Sequence, residues 1–402
     1  MNRDTGIKEG YKWTAVGVIP DEWEVKKINS VGEVITGSTP KTAQREFYDG
    51  DKLFVSPFDI TDNVYVNRTE KTLTELGLEQ GRLVLKNSIL FVSIGSTIGK
   101  VAISGEDLIT NQQINSIIPF KNIHYYFLYN ILKQRAPQIK LMAANQAVPI
   151  LNKTEFSKIQ LPIPPLPEQK TIANCLTTWD SGIEKLSALI KAKKEQKRGL
   201  MQQLLTGEKR SDGFEGEREE VKLGDVAKIV MGVSPSSSNY NNEKHGKLLI
   251  QGNADIKNRI SKPRQYTSEI TKLCNVDDIL MSVRAPVGEI SKSIHNACIG
   301  RGICAIQNNK YADNNYLFYY LVYTEVLWNK YKQGSTFESV NTTDIKNFIL
   351  FTPSIKEQTA IANILTTADK EITLLEKKLE RFKEQKRGLM QVLLTGERRL
   401  IN

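Results

Sequence analysis

The sequence predicts an α+β protein written twice. Two α/β domains are joined by two long helices that form an antiparallel coiled coil, the whole related by an internal pseudo-two-fold repeat. Three observations predict it: a repeat at constant spacing, an apolar heptad seam within each copy of the repeat, and strand- and helix-patterned stretches between the seams.

The repeat is the firmest of the three. Glu195-Gln-Lys-Arg-Gly-Leu-Met-Gln202 recurs unchanged as Glu384-Gln-Lys-Arg-Gly-Leu-Met-Gln391, an offset of 189. Ile172-Ala-Asn174 and Ile361-Ala-Asn363, Leu176-Thr-Thr178 and Leu365-Thr-Thr367, and Leu204-Leu-Thr-Gly-Glu208 and Leu393-Leu-Thr-Gly-Glu397 keep that offset. Upstream the match weakens and drifts: Ile35-Thr-Gly-Ser-Thr-Pro40 resembles Val230-Met-Gly-Val-Ser-Pro235 at 195. Each half is therefore a variable domain (1–165 and 218–354) followed by a well-matched tail (166–206 and 355–402). Residues 207–217, polar and glycine-rich, form a linker.

The tails are helices. In the first, residues 172, 176, 179, 183, 186, 190, 193, 197, 200 and 204 step by four and three in turn, as do the corresponding positions from 361 to 393 in the second. Ser354-Ile-Lys-Glu357 has the form of a capping box at the start of the second tail. Gly207 and Gly396 follow the last seam leucines and suit left-handed C-caps. About 35 residues make a rod of roughly 50 Å. The seam needs a cover, met by the other helix, by the helix's own domain or by a second copy of the chain. Lys193, Lys197 and Lys386 interrupt it, which lowers stability but defines register. Gly199 and Gly388 sit mid-helix, where each costs about 1 kcal/mol relative to alanine and permits close approach of another backbone. Gln196, Arg198, Gly199 and Met201, with Gln385, Arg387, Gly388 and Met390, are the candidate partner-binding residues. The alternative is simple retention since duplication.

In the variable domains, Ile89–Ile94 and Ile279–Val283 read as buried strands, and 125–132 and 316–327 as helices. The polar loops Ser38-Thr-Pro-Lys41 and Ser234-Pro-Ser-Ser-Ser-Asn239 suit either ligand reading or plain surface. With 55 Lys/Arg against 45 Asp/Glu and a pI near 9.2, the chain accommodates a polyanionic partner. Candidate DNA contacts are Lys41, Arg45, Lys52, Arg68, Lys100, Gln112 and Gln113 in the first domain. In the second they are Gln251, Asn253, Arg259, Lys262, Arg264, Arg284 and Arg301. Arginine pairs two donors with guanine or contacts phosphate, and glutamine or asparagine reads adenine. For each residue alone, a solvated surface side chain is the competing reading.

Catalytic signatures are missing. Gly95-Ser-Thr-Ile-Gly99-Lys100 is too short for a phosphate loop and lacks the hydroxyl residue after the lysine. Asp21 and Glu24 stand too close for a Pro-Asp…Glu-x-Lys nuclease centre. Ser56-Pro-Phe-Asp59 is not the Asn/Asp-Pro-Pro-Tyr/Phe turn of amino-methyltransferases, and three histidines leave little for acid–base work. Four cysteines without a Cys-x-x-Cys pair read as buried thiols in a reducing compartment; His295, Cys298 and Cys304 lie close in sequence but with no zinc spacing. The polar start Met1–Gly6 is no signal peptide, and no apolar run has membrane-spanning length. The expectation is a cytoplasmic protein with no catalytic residue and no metal site.

Taken together, several segments resemble the specificity subunits of type I restriction–modification systems over the whole chain. They are Val221-Lys-Leu-Gly-Asp-Val-Ala-Lys228, Gln251-Gly-Asn-Ala-Asp-Ile256, Asp278-Ile-Leu-Met-Ser-Val-Arg-Ala-Pro-Val-Gly288, Cys298-Ile-Gly-Arg-Gly-Ile-Cys304 and Ile163-Pro-Pro-Leu-Pro-Glu-Gln169. The first domain departs from the pattern, with Ser93-Ile-Gly-Ser-Thr-Ile-Gly99 where the second has Arg-Ala-Pro, and Asn111-Gln-Gln113 where the second has Gly-Arg-Gly. The resemblance implies two target-recognition domains, each reading one half of a split double-stranded DNA site, and a helical pair that sets the spacer. It implies docking of two methyltransferase subunits that hold S-adenosylmethionine, and of restriction subunits, where present, that use ATP and Mg. Two other classes stay open on the residues alone: a coiled-coil protein joining two peptide-binding domains, and an enzyme with an unrecognised site.

Overall fold

The computed structural model describes residues 8–143, 149–210, 213–331 and 339–400, without side chains at 329–331. The polar start Met1–Gly6 and linker residues Ser211 and Asp212 lie outside the described residues. By packing, the chain divides into a unit formed by 1–186 with 378–402 and a unit formed by 187–377. The division cuts through both tails, so each long helix serves both units.

The first unit is built on a five-stranded sheet in the order Gly32–Thr36, Ile114–Pro119, Ile89–Val92, Val101–Ser104, Tyr65–Val66. All four residues of Ile89–Val92 are buried, as expected of a strand covered on both faces. Alternation divides them: Ile89 and Phe91 pack with the helix Tyr125–Met142, while Leu90 and Val92 face Leu53, Val55 and Ile60 on the other side. There a three-stranded sheet, with Tyr48–Val55 at its centre, forms a second layer. The second unit repeats the plan. Its six-stranded sheet places Ile279–Ser282 between Ile303–Asn308 and Ile290–Lys292. Ile279 and Met281 pack with the helix Asn314–Tyr323, and Leu280 faces Ile250 and Ile299 of a five-stranded sheet. That helix stops at Tyr323, and a 3-10 segment takes over the end of the stretch read as helical to 327.

The long helices run Leu166–Thr206 and Ile355–Leu393, 41 and 39 residues, or roughly 60 Å each. No seam position in either helix is fully exposed. Within each unit they run antiparallel. In the first unit Glu168 pairs with Arg399 and Asp180 with Lys386; in the second, Arg210 pairs with Glu357 and Lys197 with Asp369. These are the same two contacts displaced by the repeat, so the pseudo-symmetry extends to individual charges. Gly207 (φ +83°) and Gly396 (φ +75°) adopt the left-handed caps. Glu357, read from the sequence as the far member of a capping box, is fully buried and turned to Arg210 instead, because an interior carboxylate needs a cation more than the helix start needs a second cap. Three of the four free cysteines are buried, and Cys175 is partly exposed.

The seam lysines are now accounted for. Lys386 Nζ lies 2.6 Å from Asp180, which also accepts from the Tyr126 hydroxyl at 2.7 Å. Lys197 and Asp369 repeat this with Tyr319, at 2.6 and 2.7 Å. Burial pulls the Lys386 pKa down, against the opposing pull of Asp180. Lys193 pairs with Glu371 at 2.8 Å near solvent. Lys193→Ala should therefore change stability by no more than about 1 kcal/mol in a denaturant titration.

Candidate nucleic-acid interface

In the second unit, loops following several strands meet around two adjoining hollows that share Gln251, Gly252, Asn253 and Ala285. Ser234, Ser282, Arg284, Arg301 and Gly302 complete the first, and Asp255, Arg264 and Gln265 are among those that line the second. Asp255 organises the floor. Nearly buried, it accepts the Gln251 amide at 2.9 Å on one oxygen and Arg264 Nε at 2.9 Å on the other. The Arg301 amide donates to Ser234 Oγ at 3.1 Å, and Asn253 Nδ2 to Glu289 at 2.6 Å. Gly302 passes so close to this loop that a Cβ there would lie 2.4 Å from the Gln251 carbonyl oxygen, so only glycine fits. Above this fixed backbone the Arg284 and Arg301 side chains are exposed, and neither has a side-chain hydrogen bond or ion pair among the described residues. Free guanidinium groups over a hollow lined by amides and hydroxyls match the edge of a base pair or a phosphate.

The first unit has the same loops in the same hydrogen-bonded frame. Asn111 N to Val55 O (2.9 Å) answers Gly300 N to Ile250 O (2.8 Å), and Gly37 N to Ile114 O answers Gly232 N to Ile303 O. Leu151 N to Ser93 O answers Val340 N to Val283 O. The bridges Ile94–Ile150 and Arg284–Ser339 correspond as well. In this frame Thr39 stands for Ser234, Ser56 for Gln251, Ile94 for Arg284 and Gln112 for Arg301. The backbone is shared, but the cationic side chains are gone. Thr39 Oγ1 donates to Gln112 Oε1 at 2.7 Å, and Asn111 Nδ2 to Gln113 Oε1 at 3.0 Å.

The chain matches the family model for the type I restriction modification DNA specificity domain twice, over residues 20–194 and 215–384. It belongs to that family. A protein named as the MjaX type I restriction enzyme specificity subunit of Methanocaldococcus jannaschii is 34% identical over 419 residues, covering 98% of this chain and 97% of that protein. The MjaVIII specificity subunit of the same organism is 26% identical over 417 residues, covering 96% and 95%. In fold, the chain is similar to the HsdS subunit of Thermoanaerobacter tengcongensis (TM-score 0.51, 21% identity, 94% of this chain and 98% of the other). It is likewise similar to a type I S subunit from M. genitalium (TM-score 0.58, 16% identity, 92% and 96%). A chain from a type I R-M system solved to address complex assembly aligns with TM-score 0.61 at 20% identity, over 94% and 99%. As a specificity subunit the chain is the non-catalytic member of such a system, and no helix among its described residues is long and apolar enough to cross a membrane.

Of the specificity subunit's candidate DNA contacts, Gln251, Asn253, Arg264, Arg284 and Arg301 come together at the hollows. Lys262 is exposed on the segment whose backbone bonds to Asp255. Arg259 is directed elsewhere: it donates to both carboxylate oxygens of Glu325 and to the Ile290 carbonyl, tying the sheet to the segment after its helix, and Glu325 raises its pKa. In the first unit Gln112 and Gln113 occupy the corresponding place. Lys100 turns inward to the carbonyls of Pro57 (3.3 Å) and Ile60 (2.8 Å), and Lys52 pairs with Glu75 at 2.7 Å. Lys41, Arg45 and Arg68 are exposed. Sequence reading overlooked Asp255 and Gln265, and passed over Asp59 and Phe58. Asp59 caps Ser56 N at 2.8 Å as Asp255 caps Gln251. The available signal was an aspartate four or five residues beyond the buried end of a strand in both halves.

On the helices, Gln196, Arg198 and Gly199 and the equivalent Gln385, Arg387 and Gly388 are exposed, and Arg198 spans one turn to Glu195. A Cβ on either glycine would meet nothing within 4 Å. The two methionines differ from the partner-facing reading. Met201 is buried in the second unit's core and Met390 packs against the first unit's, because the helix turn that carries them faces the domain.

Proposed function

We propose that each unit reads one half of a bipartite double-stranded DNA site, the helical pair sets the spacer, and the two exposed Gln-x-Arg-Gly faces each receive one methyltransferase subunit. Those partners carry S-adenosylmethionine, restriction subunits joining them carry ATP and Mg, and the complex works in the cytoplasm. The observation carrying this reading is one loop frame present in both units with different side chains on it. A constant frame with variable contacts is what two related domains need to read two different sequences. Open glycines at equivalent points of both helices, with no contact of their own to make, support two equivalent docking surfaces. Long-read adenine methylomes of cells with and without this gene, in the presence of its methyltransferase, test the reading. A split motif should vanish with the gene. Exchanging residues 218–354 for those of another specificity subunit should change one half of the motif and leave the other intact; a change in both halves defeats the one-unit-one-half assignment.

A further inference from the structure

The second unit presents arginines at its loop frame. The first unit's most prominent feature there is an exposed aromatic ring. Phe58 lies in the Ser56–Asp59 turn directly after the strand that ends at Val55, and is 76% exposed. Its loop is not loose. Asp59 Oδ2 accepts the amide and the hydroxyl of Ser56 at 2.8 and 2.7 Å, and its Oδ1 accepts the Glu70 amide at 2.8 Å. Lys100 Nζ clamps the carbonyls of Pro57 and Ile60 on either side of the ring-bearing residue. Val55 in turn accepts the amide of Asn111, next to Gln112. Five side-chain hydrogen bonds therefore hold the loop that carries a large apolar ring in water, at the place where the second unit has Gln251 and Asn253. An isolated exposed apolar side chain calls for no explanation, but one mounted on a pinned loop at a reading surface does.

We infer that Phe58 is a specificity-determining residue of the first unit that makes apolar contact with the 5-methyl group of a thymine. This rests on the proposed DNA-reading function. In the major groove the thymine methyl is the one apolar feature offered by any base pair, and an aromatic side chain is an established complement to it. With Ile94 and Gln112 standing where the second unit has Arg284 and Arg301, the first unit presents an apolar and amide surface suited to A·T pairs, and the second a guanidinium surface suited to guanine.

The test uses the full chain assembled with its methyltransferase subunits and duplexes carrying the methylated motif. Each thymine of the first half-site is replaced in turn by deoxyuridine, which removes only the methyl group. At one position the wild type should bind the uracil duplex about fourfold more weakly, the effect of one methyl group worth ~0.8 kcal/mol. Phe58→Ala should bind both duplexes alike, and Phe58→Leu should restore part of the preference. Equal binding of thymine and uracil duplexes by the wild type at every position overturns the inference, whether Phe58→Ala is silent or weakens all binding as a ring wedged between bases would. If the wild-type complex shows no sequence-specific binding at all, the DNA-reading proposal itself fails, which is a distinct result.

Discussion

Alanine at Asp180 is expected to destabilise the first unit by roughly 3–5 kcal/mol, the usual result of leaving a buried charge without its partner. The Lys386 side chain is only 8% exposed, and Asp180 is its ion-pair partner as well as the acceptor for the Tyr126 hydroxyl. Removing the carboxylate strands an ammonium group whose pKa burial already depresses, and orphans a phenol. The equivalent Asp369→Ala should cost less, because Asp369 is 42% exposed and water can replace it around Lys197. Denaturant unfolding followed separately in the two units measures both. Pairing Asp180→Ala with Lys386→Leu should recover part of the loss, since the second change removes the stranded charge. If the single and double variants were equally unstable, the cost would lie in the tyrosine or in packing and not in the stranded charge.

Arg301→Ala is expected to lower discrimination for one guanine by about 1–3 kcal/mol, or 5- to 150-fold, in the half-site read by the second unit. Arg301 is exposed, carries no side-chain partner among the described residues, and leaves a backbone position fixed by Ser234, so its loss should perturb reading and not folding. Binding isotherms on the wild-type motif and on single-base variants, at several salt concentrations, decide what it contacts. A base contact leaves the salt slope nearly unchanged and flattens the preference at one position. A phosphate contact weakens binding to all sequences alike and reduces the slope by about one. Arg259→Ala is the internal contrast: its guanidinium is committed to Glu325 and Ile290, so the variant should lower stability without altering sequence preference.

The duplication, the seams and the glycine caps were all legible in the amino-acid order, because each depends on local periodicity or on a conformation that glycine alone adopts readily. The seam positions proved buried or half-buried throughout. Even the lysines in the seam were correctly read as polar interruptions, although their partners Asp180 and Asp369 lie about 170–200 residues away in sequence and no local pattern announces them.

Charge and residue type alone do not separate a reading side chain from a structural one. Arg284 and Arg259 carry the same charge, and Lys100 and Gln112 both stand in loops. What separates them is whether a carboxylate or carbonyl from a distant strand is within reach, as Glu325 is for Arg259 and Pro57 and Ile60 are for Lys100. In the same way Met201 and Met390 share an eight-residue identity with exposed neighbours, and only the direction of one helical turn buries Met201 and packs Met390 against a core. Residue order and local periodicity are enough to make this a doubled protein with a helical seam and two variable domains. The tertiary structure decided which of its charges are left free to meet a ligand, because that depends on long-range partners folding in to satisfy the others.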